Sequence, residues 1–81
     1  ALDLSPRDRA WVQGMLAPKA RLAISFYHEA LRHDPFDRES RSELILNHVG
    51  LGDYAAAHQQ LDIHESFYPD EKTTHIFRAC L

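Results

Sequence analysis

Six histidines and one cysteine are the residue types in this 81-residue chain most able to do chemistry. A helical metal site would need two imidazoles four residues apart, as in His-Glu-x-x-His, so that both face one side of a helix. His28 and His33 are five apart, His58 and His64 six, and no pair meets that spacing. Cys80 with His75 offers a thiol and a base, but five residues of helix turn the two side chains to opposite faces, and Cys80 lies next to the last residue. The histidines therefore read as surface or partly buried structural residues, some of which charge near neutral pH and weaken packing. No enzyme activity, metal or cofactor is expected.

The charge pattern narrows the partners. Arg7, Arg9, Lys19, Arg21 and Arg32 make the first half modestly basic, but Asp3, Asp8, Glu29 and Asp34 are interleaved with them. A phosphate-tracking face needs clustered charge of one sign, and the formal net charge is -3, so no nucleic-acid partner is expected. Arg38 and Arg41 alternate with Asp37, Glu39 and Glu43, which reads as a solvated helical face. Apolar stretches are only a few residues long, far below the ~20 that span a bilayer, so no membrane insertion is expected. A single cysteine cannot form an internal disulfide, and a chain without such staples fits a reducing, cytoplasmic setting, with any targeting segment lying upstream of Ala1.

The elements that would position these residues are helices. Ser5-Pro6-Arg7-Asp8 is a helix start, and the first helix is expected over Pro6 to Leu16. A second begins at Pro18, carries Leu22, Ala23, Phe26, Tyr27, Ala30 and Leu31 at steps of three and four, and stops near Asp34 ahead of Pro35. Asp37 caps a third, with Leu44, Ile45, Leu46 and Val49 turned to a core and Gly50 and Gly52 ending it. Asp53 caps a fourth, bearing Tyr54, Ala57 and Leu61 and ending at Pro69, and Asp70 opens a fifth with Ile76, Phe77, Cys80 and Leu81. Nothing alternates with a strand's period of two. Short connections force neighbouring helices to pack antiparallel as hairpins.

Self-similarity supplies the architecture. Pro35 and Pro69 are 34 residues apart, and Ala23, Tyr27, Ala30 and Pro35 match Ala57, Leu61, His64 and Pro69 in spacing. With Gly52-Asp53-Tyr54 at a hairpin turn, this pattern resembles the tetratricopeptide repeat family, and residues 28 to 35 are its most family-like stretch. The resemblance covers nearly the whole chain and is specific over residues 19 to 69. Departures are His64 in place of a small residue, His48 in place of an aromatic, and a first unit five residues short. Ala1 to Pro6 has the spacing of Ala30 to Pro35 and so reads as the tail of an earlier unit. The expectation is one all-α domain, a fragment of a right-handed α-solenoid of stacked hairpins. It has about five helices, in units of residues 6–35 and 37–69 and a partial third over 70–81, cut from a larger protein.

The resemblance implies a protein-interaction module whose first helices line a concave groove. Carried over by position, the groove would be built from Val12, Met15 and Leu16, then Glu39, Ser42, Leu46 and Val49, then Thr73, Ile76 and Cys80. It would hold a partner peptide or helix and so scaffold or regulate an assembly. The alternative for these residues is that they complete the core of a small domain. The family's carboxylate-binding variant needs charged donors on the groove, and the corresponding places here hold Asp8, Val12, Glu43, Thr73 and Phe77, so that variant is not expected. A second reading is a homodimer through the C-terminal apolar face of Ile76, Phe77, Cys80 and Leu81, which has no following helix to cover it.

Overall fold

A computed structural model describes residues 4–69 and 71–80, the side chains of Thr73 and Cys80 excepted. Helix α1 (Pro6–Leu16) begins where the Ser5 hydroxyl accepts the Asp8 N–H at 3.1 Å and Pro6 occupies a position that needs no donor. Helix α2 (Ala20–His33) starts two residues later than Pro18 suggests. Three residues must reverse the chain, and Ala17 to Lys19 do so in bent or extended backbone, which takes Pro18 into the connection and leaves Lys19 as an N-cap without a side-chain hydrogen bond. Asp34 ends α2 in extended backbone, as the proline after it requires.

Asp37 caps helix α3 (Arg38–Gly50) by accepting the Glu39 N–H at 3.2 Å. Gly52, at φ 76°, supplies the left-handed turn that closes α3, and Asp53 then caps helix α4 (Tyr54–Phe67) through the Ala56 N–H at 3.2 Å. Helix α5 (Lys72–Cys80) follows a short connection. The expected start at Asp70, the contribution of Leu81 and the reading of Ala1 to Asp3 as part of an earlier unit lie outside the described residues.

The fold is all-α, with five helices and no strand among the described residues. Each helix packs against its sequence neighbour, and connections of three or four residues turn successive helices back on one another. The chain extends over 41 × 26 × 17 Å. The thin dimension matches two layers of helices roughly 10 Å in diameter, a slab rather than a ball.

The core is correspondingly divided. Ala23, Tyr27, Leu31 and Leu44 form one cluster, with Trp11, Ala17 and Ile24 packed on it. Ile45, Ala57 and Leu61 form the other, joined by Val49 and Phe77. Positions 34 residues apart are buried alike: Ala23 with Ala57, Tyr27 with Leu61 and Ala30 with His64. Small residues let helices approach, and α1 lies close to α2 at Gly14, where an added Cβ would stand 2.7 Å from Tyr27 Cε1.

Candidate functional site

Helix α3 presents Glu39, Ser42, Glu43 and Leu46 at steps of three and four residues, a single stripe on its surface. These four line an open groove of about 840 Å³. Trp11 of α1 and Phe77 of α5 contribute from either side, and Phe36 and Tyr68 come from the connections before α3 and α5. Asp34, Asp37, Arg38 and Glu71 complete the lining.

Polar contacts hold these walls. Arg7 of α1 grips Asp37 with two hydrogen bonds, Nε to Oδ2 at 2.5 Å and Nη2 to Oδ1 at 2.6 Å, and the Ser40 hydroxyl donates to the same carboxylate. Burial works to raise the Asp37 pKa, but the bonds from Arg7 and Ser40 outweigh it and hold the carboxylate below its usual range. The guanidinium of Arg7 also lies 5.6 Å from the Trp11 ring centroid. The Tyr68 hydroxyl donates to the Phe36 carbonyl at 2.6 Å, the Phe36 ring packs tilted at 55° against Phe67 with centroids 4.8 Å apart, and Arg38 covers Tyr68 while its Nη1 donates to Glu71 at 3.2 Å. A bidentate ion pair and an aromatic corner thus fix the start of α3 relative to its neighbours.

A smaller hollow of about 270 Å³ shares Glu43 with the groove and adds Met15 and Asn47. Glu43 therefore stands on the boundary between two concavities of the α1 and α3 face.

Of the residues expected in a partner groove, Glu39, Ser42 and Leu46 come together in it. Met15 lines the smaller hollow, and Leu16 stands 78% exposed outside both. Val12 is half-buried and lines neither cavity, Val49 packs on the Ile45 cluster, and Ile76 is exposed on α5 beside the groove residue Phe77. The side chains of Thr73 and Cys80 lie outside the described residues. The groove also uses Glu43 and Phe77, which the family register places on the groove only as positions of the carboxylate-binding variant, and Trp11, Phe36 and Tyr68, which that register does not select. Trp11 could have been found from its four-residue spacing to Met15, whereas Phe36 and Tyr68 lie in connections, where periodicity assigns no face.

Arg41 is not on a solvated face, contrary to the charge alternation around it. Its side chain is buried, Nη1 donating to Gln60 Oε1 at 2.6 Å and Nη2 to the Pro35 carbonyl at 2.9 Å, with its guanidinium 5.7 Å from the Phe67 ring centroid. Burial lowers its pKa. It ties α3 to α4 and to the turn between α2 and α3.

His64 is 0% exposed, and neither ring nitrogen has a hydrogen-bond partner among the described residues. Desolvation lowers its pKa, partly opposed by Glu71, whose Oε2 lies 4.0 Å from Nε2. Among the described residues no three His, Cys, Asp or Glu side chains converge as metal ligands, and no helix is long and apolar enough to cross a membrane. Set against known families, curated proteins and solved structures, the chain gives no match.

Proposed function

We propose that the chain is a tetratricopeptide-like interaction module that seats a peptide or helix of a partner protein in the groove of α1, α3 and α5. In this reading it scaffolds or regulates a larger assembly in the cytoplasm and carries out no reaction itself. The observation that carries the proposal is Leu46, 50% exposed in the same concavity as Trp11 and Phe77. Apolar side chains left on a concave surface with polar groups around them are what a helix-in-groove partner uses. The 34-residue correspondence of buried positions supports the repeat part of the reading.

Amide chemical shifts provide the test. An amphipathic leucine-containing peptide should perturb Trp11, Ser42, Leu46 and Phe77, leaving Leu22 on α2 and Ile63 on α4 unmoved. Perturbation confined to Leu22 and Ile63 would refute the groove.

A second reading, homodimerisation through α5, is favoured by Ile76, which is 53% exposed beside the half-buried Phe77. Light scattering over a concentration series separates the two. A stable dimer dispersed by Ile76→Ser would support self-association, and a monomer at all concentrations would exclude it.

A further inference from the structure

We infer that the occupant of the groove is a cationic amphipathic segment of another protein, with apolar side chains on Trp11, Leu46 and Phe77 and Lys or Arg side chains reaching Asp34, Glu39 and Glu43. The inference rests on the groove being the binding surface and adds the chemistry of what binds. Its ground is charge. Five carboxylates, Asp34, Asp37, Glu39, Glu43 and Glu71, line the groove, against the single guanidinium of Arg38.

Two of those carboxylates are already satisfied, Asp37 by Arg7 and Glu71 by Arg38. The other three are not. Among the described residues the Asp34 carboxylate accepts only the N–H of Phe36, at 3.2 Å, and Glu43 has no ion pair within 4.0 Å. Glu39 has a loose approach to Arg7 at 3.9 Å and remains exposed. Glu39 and Glu43 are one helical turn apart on α3, with Leu46 three residues further along the same stripe. An anionic segment would meet uncompensated like charge here. A neutral apolar one would leave three carboxylates partly desolvated without partners, a cost that a Lys or Arg side chain removes. The net charge of -3 adds attraction at longer range.

Two synthetic 14-residue peptides with leucine at the same helical positions, and either lysine or glutamate elsewhere, test this. Trp11 is the only tryptophan and lines the groove, so its emission reports occupancy. The lysine peptide should bind at least about tenfold more tightly at low salt, a preference that shrinks as salt screens it. Glu43→Gln should weaken it about two- to fivefold, while Glu29→Gln, an equal charge change on α2, should not. Leu46→Gln should weaken both peptides.

Equal binding of the two peptides, abolished by Leu46→Gln, would overturn the cationic partner and leave the groove standing. An equal effect of Glu43→Gln and Glu29→Gln would reduce the preference to net charge and overturn it too. No change in Trp11 emission with either peptide, or binding indifferent to Leu46→Gln, would overturn the groove itself.

Discussion

Replacing Gly14 by alanine tests the helix approach on which the first hairpin depends. In an open helix the change stabilises by about 1 kcal/mol, because alanine loses less backbone freedom than glycine. Here the new methyl would meet a wall: Tyr27 Cε1 at 2.7 Å, Cζ at 2.8 Å and Cδ1 at 3.0 Å. The ring cannot swing aside easily, since Tyr27 is buried in the cluster with Ala23, Leu31 and Leu44. Overpacking of this kind costs about 1–3 kcal/mol, and three contacts at or below 3.0 Å against an aromatic ring belong in the upper part of that range. The net expectation is a loss of about 1–2 kcal/mol.

Urea unfolding followed by circular dichroism reads this directly. With a slope of about 1 kcal/mol/M, the midpoint should fall by about 1–2 M at unchanged slope. The companion measurement places Gly14→Ala in a Tyr27→Leu background. There the ring is gone, the methyl meets no wall, and the same substitution should raise the midpoint. A Gly14→Ala chain more stable than the parent would mean that α1 and α2 do not approach as described.

Other expectations follow from buried polar groups. His64 binds its proton less readily when folded than the usual pKa of about 6.5 of an unfolded histidine, so stability is fully present above about pH 6.5 and is lost as pH falls through the folded-state pKa. His28 shifts in the same direction, chiefly by burial, while Asp37, whose folded pKa is depressed, contributes only to the loss at more acid pH. Arg38 and Arg41 also disfavour a charged His64, and Glu71 favours it. His64→Leu should therefore flatten the decline of melting temperature between pH 7.5 and 5.5, and an unchanged decline would remove His64 from the account. Arg41→Met should cost about 1–3 kcal/mol by stranding Gln60 and the Pro35 carbonyl, measured by the urea midpoint, and a neutral outcome would show that water replaces the guanidinium there.

The legible parts of the chain were those that local chemistry decides. Ser5, Asp37 and Asp53 carry oxygens that can accept an N–H of the first turn, and each does so. Pro35 and Gly52 restrict or free the backbone wherever they stand. Helix number and the described helix ends, within two residues, follow from such rules. Of the α2 stripe, Ala23, Tyr27, Ala30 and Leu31 are buried but Leu22 is 45% exposed, and Leu46, expected to turn to the core, is 50% exposed in the groove, where the repeat resemblance rather than local chemistry placed it with Glu39 and Ser42. Arg41 was misread because its sequence neighbours are charged, whereas its environment is built by Gln60, Pro35 and Phe67.

What the sequence by itself determined, then, is a set of capped amphipathic helices with a 34-residue correspondence, because capping, periodicity and turn dihedrals act within a few residues. Only the tertiary structure decided which side chains meet: Arg7 with Asp37 across 30 residues, Gly14 against Tyr27, and Trp11, Leu46 and Phe77 in one groove. Those encounters depend on how far each helix is rotated and how closely it approaches its neighbour. A rotation of one residue, about 100°, is enough to exchange a groove residue such as Trp11 for its neighbour Val12, which lines neither cavity.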